Sequence, residues 1–236
     1  MILLQRKRMM IIIGAIFVSI FSYLLGSSHM YETVETVSLP VSGKTVILDA
    51  GHGGEDQGAE SANGITEAET NLKITLKVQK LLEQSGCTVI LTRSDDNAIY
   101  DIDKQTLRQK KISDIKNRVK IGNNSSADIF VSIHLNKIPQ SQYFGWQTFY
   151  KSSNEQSKKL ATSLQNSLNE SMQKENKRVP LKIDNVYIIK NVEIPTSIVE
   201  CGFLSNPEEE AQLQTEEYQD KIAWGIYTGI IGYFYE

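Results

Sequence analysis

The chain has 236 residues, of which 40% are hydrophobic, enough for one α/β domain with a substantial core and a short appendage, with little room for two. Its formal net charge is −3 at pH 7 and no basic stripe interleaved with aromatics occurs, which argues against nucleic acid as a partner. The two cysteines, Cys87 and Cys201, lie far apart and outside Cys-x-x-Cys spacing, so neither a disulfide framework nor a cysteine zinc site is indicated.

Residues 1–30 read as an export signal peptide or an N-terminal membrane anchor. Arg6, Lys7 and Arg8 form a positive flank, followed by an uncharged, mainly apolar run over residues 9–25. The positive end stays cytoplasmic, so the rest of the chain is expected to work outside the cytoplasmic membrane. Residues 31–43 are polar and punctuated by Pro40 and Gly43, which predicts a linker ahead of a folded domain over residues 44–236.

The domain opens with a strand over residues 46–49 that runs into the glycine turn Gly51-His52-Gly53-Gly54. Thr66 and Glu69 have capping-box spacing, and Ile74, Val78, Leu81 and Leu82 then recur on one helical face until Gly86. Glu67 falls at the first helical position, where the helix dipole favours a carboxylate whatever else it does. A second strand is predicted over residues 87–92, then a polar irregular insert over residues 94–110, then a helix marked by Ile112, Ile115 and Val119.

Residues 129–133 form the next strand and deliver His134 at its carboxyl end. A strand over residues 145–150 precedes a long helix striped by Leu160, Leu164, Leu168 and Met172, which reads as core packing. Two short strands follow over residues 186–189 and 196–199, the second ending at Glu200. Asn206 and Pro207 start a helix with an acidic first turn, and Tyr218, Ile222, Ile226, Ile230 and Tyr233 mark the last one.

Strands alternating with helices predict a single α/β domain of three layers, with a mostly parallel or mixed sheet of about six strands flanked by helices. Ligands in such sheets bind outside the carboxyl ends of the strands, where His52, His134 and Glu200 all fall. Two imidazoles and a carboxylate suit a catalytic zinc, with a further carboxylate as general base, and Glu67 and Glu200 are the candidates for those two roles. The spacing is not His-Glu-x-x-His, so His52 and His134 can equally be read as structural histidines. Glu200 is harder to explain structurally, because a carboxylate between Ser197-Ile198-Val199 and Cys201-Gly202-Phe203 loses hydration unless it is paired or used. A phosphate cradle at residues 51–54 lacks Gly-Lys-Ser/Thr, and a Cys201 nucleophile with His134 as base has no spacing to support it.

The segment Val46-Ile47-Leu48-Asp49-Ala50-Gly51-His52-Gly53-Gly54, with Glu67 ahead of Asn71-Leu72, then Ser132-Ile133-His134-Leu135-Asn136, then Val199-Glu200-Cys201-Gly202-Phe203-Leu204-Ser205-Asn206, resembles the zinc-dependent N-acetylmuramoyl-L-alanine amidases. The resemblance implies His52, Glu67 and His134 as ligands of Zn2+ and Glu200 as the catalytic carboxylate. It implies cleavage, in the cell wall, of the amide between the lactyl group of N-acetylmuramic acid and L-alanine in peptidoglycan. Ala50 stands where proline is usual in that family, and Glu69 where aspartate is common; neither removes a ligand. The likeness is greatest to the germination-specific branch, which implies action on spore cortex and a step towards muramic δ-lactam. Three ligands on loops and strand ends also leave room for a protein partner that stabilises the zinc site. The competing readings are a catalytically silent scaffold that binds peptidoglycan or recruits a partner, and a generic secreted zinc peptidase.

Overall fold

A computed structural model describes residues 2–28 and 38–235. Helix α1 (Ile2–Ser28) forms part of a unit of its own and includes the apolar stretch Gln5–Leu24, long enough to cross a membrane. A helix of this length and composition suits a signal or anchor segment. Of the predicted linker, residues 31–37 lie outside the described residues. The second unit covers Leu39–Glu236. Its first residues turn back through a Ser42 N–H to Leu39 carbonyl bond of 2.8 Å and bury Val41 completely, so core packing begins ahead of Lys44.

Six strands form one mixed sheet: β1 (Thr45–Ala50), β2 (Thr88–Leu91), β3 (Ile129–Asn136), β4 (Gln147–Tyr150), β5 (Leu181–Lys182) and β6 (Thr196–Phe203). Their spatial order is β2-β1-β3-β6-β4-β5, with β2, β1, β3 and β6 parallel and β4 antiparallel to β6. The chain leaves β1 towards β2 on one side and returns to β3 on the other. That reversal opens a crevice at the carboxyl ends of β1 and β3, the place where such sheets bind ligands.

Alternation along the central strands divides the core in two. Val46, Leu48, Val131, Ile133, Val199 and Cys201 face α2 (Glu67–Gln84), α4 (Glu155–Met172) and α7 (Glu216–Tyr235). Ile47 and Phe130 face the other way, onto Val119 of α3 (Leu107–Asn124) and Ile188 of α5 (Tyr187–Asn191). The helix α6 (Pro207–Leu213) is capped by Asn206, whose side chain accepts the Glu209 N–H at 2.9 Å.

Three local expectations are corrected. Residues 186–189 do not form a strand: Tyr187–Asn191 is a short helix, and the strand between β4 and β6 in the chain is the two-residue β5. The polar insert ends at Thr106, which opens α3 with a full capping box shared with Gln109. At α2 only half of the expected box exists, because Thr66 accepts the Glu69 N–H at 3.4 Å while the Glu69 carboxylate pairs with Lys73 at 2.7 Å.

Candidate metal centre and active-site cleft

Each side chain of the cluster is placed by a different element. His52 follows β1 in the left-handed region, at φ 63°, uncommon for a residue with a Cβ. Glu67 is the first residue of α2 and is 4% exposed. His134 and Glu200 occupy paired positions on β3 and β6, so both project from the same face of the sheet. Gly51 packs against His134: a Cβ at Gly51 would sit 2.2 Å from the His134 ring, so only glycine allows the imidazole to lie across the turn.

The structure brings His52, Glu67 and His134 together, with one candidate ligand atom from each lying within 4.8 Å of the others. Glu67 Oε1 is 3.3 Å from His52 Nε2 and 2.9 Å from His134 Nδ1. The same oxygen accepts the Leu135 N–H at 3.2 Å, and Oε2 accepts the Ala59 N–H at 2.9 Å. The other nitrogen of His52, Nδ1, donates to Asp56 Oδ2 at 3.1 Å, and Asp56 is in turn paired with Lys111. A carboxylate accepts only, so Asp56 fixes a proton on Nδ1, and Nε2, facing Glu67, is the nitrogen that would give up its proton to offer a lone pair to a metal.

Electrostatics follow from this crowding. Burial disfavours the His52 cation, but Asp56 and Glu67 outweigh it and raise its pKa to about 9. Burial likewise opposes ionisation of Glu67, yet His134 and His52 hold it well below the usual carboxylate range. Glu200 behaves oppositely: burial, aided by Glu67 and opposed by the histidines, pushes it up to about 7. Its Oε2 is enclosed and has no hydrogen-bond partner among the described residues.

These groups border a cleft of about 230 Å³ between the sheet end and α3 and α5, lined by His52, His134 and Glu200 on one side and Ile115, Val186 and Ile188 on another. Cys201 projects to the opposite face, into the main core, where burial raises its thiol pKa far above the ordinary value. It cannot pair with His134 as a nucleophile. His29 lies outside the described residues.

Two arginines behind the His52 turn, one of them, Arg118, in the cleft wall, carry no distinctive mark in the sequence. Arg93 and Arg118 are 4% and 2% exposed and contact the turn that carries His52. The only available sign was Arg118 sitting between Ile115 and Val119 near the apolar face of a predicted helix, a pattern that many solvated arginines share.

An α/β sheet with a His-Glu-His cluster and an unpaired carboxylate at its switch point is the architecture of a metal-dependent hydrolase. The profile of the N-acetylmuramoyl-L-alanine amidase family matches residues 46–232, and the chain belongs to that family. The germination-specific N-acetylmuramoyl-L-alanine amidase of Bacillus subtilis (strain 168) is 37% identical over 199 residues, covering 84% of this chain and 83% of that protein. The structure of the CwlD amidase from Clostridioides difficile in complex with the GerS lipoprotein aligns with a TM-score of 0.79 at 48% identity, covering 80% of this chain and 98% of that one. The N-acetylmuramoyl-L-alanine amidase from Clostridium difficile 630 aligns with a TM-score of 0.70 at 34% identity over 80% of this chain and 96% of that one. The protein is an N-acetylmuramoyl-L-alanine amidase acting on peptidoglycan, and enzymes of this cell-wall family work outside the cytoplasm.

Proposed function

We propose that this amidase hydrolyses the bond between the lactyl group of N-acetylmuramic acid and L-alanine in spore cortex peptidoglycan, on the path to muramic δ-lactam. Its substantial similarity to the germination-specific enzyme of Bacillus subtilis and to CwlD supports the cortex assignment. The observation that carries the chemistry is Glu200: a carboxylate with an oxygen that has no partner among the described residues, sharing one cleft with two imidazoles that Glu67 contacts from behind.

The donor set fits zinc. Two imidazole nitrogens and one carboxylate oxygen suit a borderline ion, whereas calcium and magnesium favour all-oxygen sites. His52 Nε2, Glu67 Oε1 and His134 Nδ1 would hold it, with Asp56 orienting His52. Zinc, when bound, supplies Lewis acidity that activates water and polarises the scissile carbonyl. Glu200 takes a proton from the attacking water and returns it to the departing alanine nitrogen, and a pKa of about 7 equips it for both transfers. The apolar wall of Ile115, Val186 and Ile188 limits bulk water on the other side of the cleft.

The N-terminal segment carries the enzyme to, or holds it at, the outer face of the cytoplasmic membrane. CwlD was solved with the GerS lipoprotein, which supports a protein partner for this chain also, one that steadies the zinc site. Mass spectrometry of cortex and vegetative peptidoglycan after digestion tests the reading. Peptide-free muramic residues and stem peptides with a free L-alanine amine are expected, with cortex preferred. Cleavage within the stem peptide would replace it with a peptidase, and unchanged muropeptides with a scaffold.

A further inference from the structure

The turn carrying His52 exposes three consecutive backbone carbonyls to two buried guanidinium groups. Ala50 accepts from Arg93 Nε at 2.8 Å and from Arg118 Nη1 at 2.7 Å. Gly51 accepts from Arg93 Nη2 at 3.1 Å, and His52 from Arg118 Nη2 at 2.7 Å. Arg93 Nη2 also donates to the Ala68 carbonyl at 2.7 Å, one residue beyond Glu67. Arg118 pairs with Asp49 at 2.6 Å, and the second oxygen of Asp49 accepts the Ser132 hydroxyl at 2.6 Å, two residues before His134. One network therefore reaches the backbone beside His52 and Glu67 and, through Asp49, the Ser132 side chain on the strand that carries His134.

Fold stability alone is a poor account of this arrangement. Arg93 is buried, yet among the described residues it forms no ion pair: its guanidinium meets only carbonyls, the fourth being that of Asp95 at 2.8 Å. Burying a cation without a carboxylate is expensive, and an apolar side chain would fill the same space at less cost. What an apolar group cannot do is fix three carbonyl directions at once. The planar fork of arginine does this, and lysine, a point donor on a flexible stem, does not. The conformation being held is uncommon, since His52 has a left-handed φ of 63°.

We propose that Arg93 and Arg118 are positioning residues that set the affinity of the His52–Glu67–His134 site for its metal, by holding the backbone beside His52 and Glu67, and through Asp49 and Ser132 the strand that carries His134, in the binding arrangement. This rests on the metal-site reading above. The brace acts before any metal arrives, by lowering the reorganisation that binding demands.

The test uses the full chain in detergent, stripped of metal, with zinc affinity read by competition against a chromophoric chelator and apo-protein stability read by urea unfolding. Arg93→Lys and Arg118→Lys are each expected to weaken zinc binding about ten- to a hundredfold. That loss should exceed what their unfolded fraction explains, and the absorption of the cobalt-substituted protein should shift as ligand geometry loosens. Unchanged zinc affinity and an unchanged cobalt spectrum in the folded variants overturn the proposal. Should both lysine variants fail to fold, Asp114→Asn carries the test, because Asp114 grips Arg118 Nε at 2.6 Å without touching the turn. A smaller loss of affinity is then expected, and none would overturn it. A parent protein that binds no zinc would instead remove the metal-site reading itself.

Discussion

Glu200 faces His134 across the β3–β6 pair and Gln147 across the β4–β6 pair, and among the described residues no hydrogen-bond donor meets its Oε2. Its pKa of about 7, raised from 4.5, has two consequences. Glu200→Gln should abolish amidase turnover while bound zinc, measured by metal analysis, is retained; residual turnover near the parent rate would remove Glu200 from proton transfer. The second concerns stability without metal. Folding favours the protonated acid, so there is no penalty below the unfolded pKa, and stability is lost as pH rises through about 7. Metal-free Glu200→Gln should therefore be more stable than the parent by about 1–3 kcal/mol at pH 8, with the difference closing towards pH 4, as read from urea midpoints. At this scale the sequence already singled out His52, His134 and Glu200, because an ionisable side chain after an apolar strand needs a reason, while Glu67, at a helix start, drew its ligand role from the family resemblance. Asp56 and the two arginines escaped notice because nothing local in their sequence marks a long-range partner.

Among the elements, α4 and α7 show how pattern and packing divide the information. The stripe Leu160, Leu164, Leu168 and Met172 was legible as a buried face, and all four are buried. What it packs against was not legible. Gly229 of α7 passes so close that a Cβ there would lie 2.8 Å from the Leu164 Cα, a backbone atom with no freedom to move aside. Gly229→Ala should thus destabilise by about 1–3 kcal/mol in urea unfolding despite alanine's better helix propensity, since the helices must separate. A stabilised variant would mean that α7 can slide without loss. The short helix at Tyr187–Asn191 was misread for a related reason. Val186-Tyr187-Ile188-Ile189 is branched and aromatic, and over so few residues periodicity does not separate a strand from a buried helical turn. Packing of Ile188 beneath the sheet, next to Val119 and Phe130, decided it.

For the whole molecule, the His52–Glu67–His134 cluster would tie metal binding to folding. A site formed by a loop, a helix start and a strand exists only in the folded chain, so a metal held there would bind the native state alone. Zinc at about a thousand times its dissociation constant should add about 4 kcal/mol to stability, and EDTA should remove it, as a fall in thermal midpoint. Equal midpoints with and without zinc would disconnect the cluster from metal binding. The alternation of elements, the apolar N-terminal segment and the four candidate site residues were legible in the sequence itself, because strand and helix periods, the length of an apolar run and the family motifs around those residues are local properties of the chain. The tertiary structure alone decided that β1 and β3 lie side by side, that the chain reverses direction there, and that Arg93 and Arg118 reach back to the carbonyls around His52. Those contacts join residues dozens of positions apart, and only burial, which strips water from every unsatisfied polar group, selects which of them form.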